Sequence, residues 1–259
     1  MKLNDQILYY LADNFQNLKK GKRMQAKPYA SIYHYFPERT KSAIRRTIED
    51  LLTAGDIERM IDRGALKFKI TSSGKVRIEK QITFNKFKED RWVGKWQIII
   101  FDIPEREKKL RGALREKLTT LGFKRWQESV YLSPFKITAE ISEFIKTHDL
   151  AHYIIIFESK KISFLTNEEI ARKIWDLETL NTAYREIIRL CGNLNSELNK
   201  KKIHQEKIIE LWQKARETYH ELLLIDSGLP KELLPNDWLG KEARELFLKT
   251  ARVFSQKII

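Results

Sequence analysis

Between residues 96 and 157 the hydrophobic pattern switches repeatedly between the period of a strand and that of a helix, and nothing else restricts this chain's fold so tightly. The pattern predicts a strand over Trp96–Phe101, a helix from about Glu105 to Leu121 and strands over Phe123–Trp126 and Ser129–Leu132. A second helix from about Thr138 to Thr147 and a strand over Tyr153–Phe157 complete it. Leu110, Ala113, Leu114, Leu118 and Leu121 give the first helix an apolar face, Pro104 suits its first turn and Gly122 its exit. The order βαββαβ is the split βαβ arrangement of a ferredoxin-like domain.

The segment before it reads differently. Asn4 is placed to cap a helix in which Ile7, Leu8, Leu11 and Phe15 share one side, and the basic run Lys19-Lys20-Gly21-Lys22-Arg23 ends it. A short helix holding Ile32 and Tyr35 stops at Pro37. A turn through Glu38 and Arg39 then leads to a longer helix beginning near Thr40, where Ile44, Ile48, Leu51 and Leu52 recur at helical spacing. Gly55 closes that helix, and two extended runs, Ile57–Ile61 and Leu66–Thr71, are joined by Asp62-Arg63-Gly64-Ala65. Three helices running into a hairpin form the pattern of a winged helix-turn-helix.

Beyond residue 160, Ile170, Ile174, Leu177, Tyr184, Ile187 and Ile188 keep one helical period, and Ile208, Leu211, Trp212, Ala215, Tyr219 and Leu222 keep another. The two are expected to pair antiparallel, their apolar stripes facing each other, the central domain or a second subunit. Pro230 and Pro235 bracket a short turn before Trp238, a structural anchor for the last helix. The expected fold class is therefore α+β. It comprises an N-terminal winged helix-turn-helix (1–88), a central ferredoxin-like βαββαβ domain (89–160) and a C-terminal helical domain (161–259).

Charge points to the partner. Residues 1–88 carry 19 Lys and Arg against 9 Asp and Glu, an excess of 10 within a chain of formal net charge +14. A polyanion, most naturally the phosphates of double-stranded DNA, fits such a concentration on a winged helix-turn-helix. Lys41, Ser42, Arg45, Arg46 and Glu49 lie off the apolar side of the longer helix. Arg pairs two donors with O6 and N7 of guanine, while Lys and Ser suit phosphates. Arg63, Lys67 and Lys69 of the hairpin are placed to lie over a backbone or minor groove. The candidate DNA-binding set is Lys41, Ser42, Arg45, Arg46, Arg63 and Lys67. Solvated arginines on an ordinary amphipathic helix give the same pattern, so continuity from helices into hairpin carries the argument.

Other functions find less support. The apolar runs are far shorter than the roughly 20 residues of a bilayer-crossing helix, and the start of the chain lacks a secretory leader, so no membrane association and a cytoplasmic location are expected. The lone Cys191 excludes an intrachain disulfide and reads as core filler. Asp102, just after the first central strand, is the one candidate metal ligand, paired with its symmetry mate in a dimer. An acid ahead of a Pro-initiated helix is favoured by the helix dipole without any metal. His148 and His152 are four apart but flank a helix end and a strand start. No Gly-rich phosphate loop or nucleophile elbow is present, and no enzyme activity or cofactor is expected. The alternative is a metal-dependent nuclease or DNA-integration subunit using the central domain and Asp102.

Three blocks resemble the PaaX-like, phenylacetate-degradation repressor family of transcriptional regulators. They are Ile44-Arg45-Arg46-Thr47-Ile48 with Leu52 and Gly55, Phe101-Asp102-Ile103-Pro104-Glu105 with Gly122-Phe123 and Ser129-Val130-Tyr131, and Leu233-Leu234-Pro235-Asn236-Asp237-Trp238 followed by Gly240. The central block is also similar to the small ferredoxin-fold subunit of the CRISPR spacer-acquisition complex, whose acidic residue after the first strand matches Asp102. The PaaX-like resemblance implies a homodimeric, sequence-specific DNA-binding repressor released by a small-molecule effector, often an aryl-acyl-coenzyme A. No residue of this chain assigns that ligand.

Overall fold

The computed structural model describes residues 1–12, 26–81, 92–136, 139–200, 204–226 and 228–257. The expected basic helix end at 19–23, Phe15 and Thr138 lie outside them. Helix and antiparallel sheet are mixed, which makes the chain α+β. Two compact units form, one from Met1–Asn85, Asn181–Ile225 and Leu239–Ile259, the other from Lys86–Leu180 and Asp226–Trp238. This grouping crosses the sequence boundary at residue 161, because most of the later helices join the N-terminal elements. Among the described residues no helix is long and apolar enough to cross a membrane.

The first unit opens with α1 (Leu3–Leu11), whose N-cap is Lys2 and makes no side-chain capping bond. Asn4 is thus inside the first turn and not the cap, a correction of two residues, while Ile7, Leu8 and Leu11 are buried as their spacing predicts. A two-residue strand β1 (Lys27–Pro28) leads into α2 (Tyr29–Tyr35), and α3 (Lys41–Thr53) follows the turn. The end of α3 is a Schellman motif: Gly55 at φ 71° lets its own N–H reach Leu52 O and the Asp56 N–H reach Leu51 O. Strands β2 (Ile57–Asp62) and β3 (Ala65–Ile70) then pair from Ile57↔Ile70 to Asp62↔Ala65, and β1 adds to β3 to give the order β1-β3-β2. Arg63 and Gly64, both at positive φ (51° and 76°), make the two-residue turn whose twist suits a tight hairpin.

Helix α4 (Ser72–Gln81) folds back so that Arg77 bonds Asp56 at 2.5 Å and Asp5 of α1 at 3.2 Å. Both carboxylates are buried. One guanidinium thereby joins α1, the exit of α3 and α4.

Three long helices complete this unit: α8 (Leu177–Leu198), which belongs to it from Asn181 onward, α9 (Gln205–Ile225) and α10 (Gly240–Lys257). Trp212 of α9 stacks on Phe247 and Phe254 of α10 at centroid distances of 5.6 and 4.8 Å and meets Tyr35 of α2 edge-on at 5.1 Å. At Trp212 the apolar stripe of α9 therefore faces α10 and α2, partners that its spacing alone does not name. Cys191 is buried in α8, and burial pushes its thiol up to about 11, consistent with inert core packing.

The second unit is built on a four-stranded antiparallel sheet of β4 (Trp96–Phe101), β5 (Lys124–Gln127), β6 (Val130–Ser133) and β7 (Ile154–Ser159), in the order β5-β6-β4-β7. One side packs against α5 (Lys108–Thr120) and α6 (Ala139–Thr147), where Ile99, Phe101, Leu114, Leu118, Phe123, Ile141 and Ile145 share a core. Pro104 precedes a short 3-10 turn, Glu105–Glu107, so regular helix starts a turn later than its position suggests. Gly122 at φ 82° ends α5 in a second Schellman motif, with the Phe123 N–H on Leu118 O at 3.0 Å and both side chains buried.

Helix α7 (Asn167–Trp175) belongs to the same unit. Trp175 stacks on Trp96 of β4 at 5.9 Å, and the Trp96 indole donates to Asn167 at 2.8 Å. The helical period read through 170–188 is interrupted: Asp176 is left-handed at φ 48°, which ends α7 and starts α8. Asp tolerates that conformation better than most residues, and its compatibility with a continuing apolar period is why the break escapes a pattern search.

Candidate nucleic-acid interface

Helix α3 starts from a firm cap. Thr40 Oγ1 accepts the Ala43 N–H at 3.2 Å and lies 3.1 Å from the Ser42 hydroxyl. Ile44, Thr47, Ile48 and Leu51 are buried, and Thr47 donates to the Ala43 carbonyl at 2.9 Å. That leaves Lys41, Ser42, Arg45, Arg46 and Glu49 exposed on the outer side. Because the buried residues fix the rotation of the helix, they also fix which side chains project.

A concavity of about 650 Å³ opens between α2, α3 and the hairpin. Lys41, Ser42 and Arg45 line it together with Glu49, Arg59, Tyr29 and Tyr33. Tyr33 donates its hydroxyl to Tyr29, and their rings meet edge-on at 4.9 Å. Burial, then that bond, pushes the Tyr33 phenol up to about 12 while Arg45 pulls it down. Tyr33 is thus a neutral wall beside a cation at any physiological pH. The two tyrosines are four apart on one side of α2, a spacing that would have identified them; Arg59 gives no such signal, because its role comes from hairpin register.

The charges differ in how they are held. Arg59 of β2 bonds Glu49 at 2.5 Å, Lys67 bonds Asp62 at 2.6 Å and Lys69 bonds Glu58, directly opposite in register, at 3.1 Å. Those hairpin cations are neutralised by their neighbours. Among the described residues no ion pair engages Lys41, Arg45, Arg46 or Arg63, so the uncompensated positive charge lies on α3 and at the hairpin tip. Arg46 on α3 and Arg63 at the hairpin tip are exposed outside the concavity, and Lys67, also outside it, is half-buried.

Asp102 belongs to the other unit. It is exposed, and its N–H donates to the Tyr153 carbonyl at 2.9 Å. His148 stacks on Phe144 at 4.2 Å, while His152 meets Tyr153 at 3.9 Å with its ring tilted by 47°, so each lies against a different neighbour. Among the described residues no three His, Cys, Asp or Glu side chains come together as a metal-binding group.

Comparison with known proteins adds to this geometry. A solved structure of an uncharacterized protein from Mycobacterium tuberculosis shares the fold, with a TM-score of 0.58 over 94% of both chains at 17% identity. The transcriptional repressor PaaX of Escherichia coli (strain K12) is 24% identical over 165 residues. That match covers 60% of this chain and spans half the length of that relative. The family model for the PaaX protein central Cas2-like domain matches residues 89–171, and that for the PaaX-like protein C-terminal domain matches 175–257. With both models in order along it, the chain belongs to the PaaX-like family.

Proposed function

We propose that this protein is a sequence-specific DNA-binding transcriptional repressor that acts as a homodimer. In this reading residues 1–88 are a winged helix-turn-helix with α3 as the major-groove helix and β2–β3 as the wing. Residues 89–160 are a ferredoxin-like domain and 161–259 the helical part, which together set dimer geometry and receive a small-molecule effector of the acyl-coenzyme A class. Arg45 and Arg46 read base edges, Lys41 and Ser42 contact phosphate near the helix start, and Arg63 and Lys67 contact the backbone from the wing.

The observation that carries the reading is the projection of Lys41, Ser42, Arg45 and Arg46 from one capped, core-locked helix, with no acid paired to its three cations among the described residues. The family relation supports it, since the curated relative is a transcriptional repressor. No reaction is assigned to the protein. The exposed carboxylate of Asp102 lies six residues before the first residue of α5, beyond the reach of that helix's dipole, and among the described residues it belongs to no cluster of three side chains that could hold a metal ion.

Footprinting on the DNA upstream of its own gene, with magnesium present, tests the proposal. Protection of a defined duplex segment without strand cleavage supports it. Preference for single strands, or cleavage that vanishes in Asp102→Asn, would replace it with the nuclease reading.

A further inference from the structure

One side chain, far along the chain, holds both sides of the turn between α2 and α3. Arg216 of α9 is completely buried, at 0% exposure. Its Nη1 donates to the Tyr35 carbonyl at 2.7 Å and to Glu38 Oε2 at 3.2 Å, while Nη2 donates to Glu38 Oε1 at 2.6 Å. Trp212, one turn earlier on α9, gives its indole N–H to the same Tyr35 carbonyl at 2.9 Å. The Phe36 ring covers the guanidinium at 4.7 Å. Tyr35 is the last residue of α2, and Glu38 lies two residues before Thr40, the cap of α3. The same planar fork therefore fixes where one helix stops and where the next begins.

Stability gives little reason for such an arrangement. The desolvation of a buried ion pair commonly cancels its attraction, and apolar side chains of similar volume serve a core at least as well. What a two-pronged guanidinium–carboxylate pair supplies is direction. With a rise of 1.5 Å per residue, Arg45 lies about 8 Å along α3 from Thr40, so a tilt of about 10° at the turn displaces it by about 1.3 Å. A recognition contact tolerates roughly 0.5 Å.

We propose that Arg216 is a positioning residue for DNA recognition: through Tyr35 and Glu38 it sets the angle at which α3 leaves the turn, and with it the reach of Arg45 and Arg46. This rests on the DNA-reading assignment made above. Arg216 touches no DNA in this scheme, and its effect is on discrimination between sequences and not on general attraction to phosphate.

The test uses full-length Glu38→Asp, which keeps the charge but shortens the reach, and the double variant Arg216→Met with Glu38→Gln, which removes both charges together. Each is measured for thermal melting, for amide hydrogen exchange across residues 36–44 and for affinity to a selected and a random duplex. The expected result is cooperative melting, exchange about tenfold faster across 36–44 with α10 unchanged, and discrimination reduced by about tenfold while random-duplex affinity stays within about twofold. Wild-type exchange and discrimination in Glu38→Asp, or an equal loss on every duplex, would overturn the proposal. Because Arg39 also reaches Glu38 Oε1, at 3.2 Å, Glu38→Asp compared with Arg39→Ala decides it if the double variant does not fold, and an equal effect of Arg39→Ala would overturn the assignment to Arg216. If the wild-type protein prefers no duplex, it is the DNA-reading assignment that fails, while the exchange rates still report whether Arg216 holds the turn.

Discussion

Arg59 on β2 and Glu49 on α3 meet at 2.5 Å and brace the hairpin against the proposed reading helix. The pair is exposed at both ends, so its contribution to stability is small, about 0–1 kcal/mol. Its electrostatic consequence is larger, because it removes one acid and one cation from the surface assigned to DNA. Glu49→Gln is predicted to release Arg59 for phosphate, strengthening binding to every duplex and steepening the salt dependence by about one unit of log–log slope. Arg59→Ala leaves the Glu49 carboxylate uncompensated and is predicted to do the reverse. Anisotropy titrations of a random duplex at several salt concentrations separate the two, and a shared direction of change would contradict the assignment.

Gly74 sits where α4 passes closest to the exit of α3. A Cβ there would lie 2.1 Å from the Asp56 carbonyl oxygen, and backbone cannot yield as a flexible side chain does. Gly74→Ala is predicted to destabilise the protein by about 1–3 kcal/mol, with a melting point lower by several degrees. Gly112 in α5 meets nothing within 4 Å, so Gly112→Ala is predicted to stabilise by roughly 0.5–1 kcal/mol through helix propensity. Opposite signs in thermal melting are the check.

His220 is 1% exposed, lies among Tyr9 of α1, Tyr35 of α2 and Tyr219 of its own helix, and neither ring nitrogen has a hydrogen-bond partner among the described residues. Burial first, then Arg216 and the N-terminal ammonium, hold its pKa well below 6.5. The unfolded chain therefore takes up a proton near pH 6.5 that the folded protein refuses. Stability from this residue is complete above that pH and declines as pH falls below it. His220→Phe is predicted to flatten the loss of melting temperature between pH 7 and 5, and parallel curves for both proteins would contradict this.

Much of the architecture is readable from local rules. Leu118, Gly122 and Phe123 announce the end of α5 because a Schellman motif needs a residue at positive φ followed by an apolar one. Thr40, three residues before the Ala43 amide it caps, does the same for the start of α3. Once Arg63-Gly64 is recognised as a two-residue turn, the hairpin register follows, and it places Glu58 opposite Lys69. The pairing of that hairpin lysine was legible in principle, though a charge count alone conceals it. Arg216 was not legible. It stands beside the apolar positions Trp212, Ala215 and Tyr219, where a lone Arg reads as a residue reaching for solvent. Its partner is 178 positions away, a separation to which no periodicity is sensitive. The same holds for α9, whose stripe says that it must be covered but not by which helices.

The central claim is that α3 reads sequence while the wing supplies attraction. The direct measurement is the affinity of wild type, Arg45→Ala, Arg46→Ala, Arg63→Ala and Lys67→Ala for a duplex selected from a random pool and for an unselected one, at about 50 and 200 mM salt. The account predicts a wild-type preference that weakens steeply with salt. Arg45→Ala and Arg46→Ala should each lose on the order of 1–3 kcal/mol of discrimination. Arg63→Ala and Lys67→Ala should weaken both duplexes alike, Lys67→Ala less because Asp62 already holds that lysine. Binding indifferent to salt, no sequence preference, or equal and uniform losses from all four substitutions would contradict it.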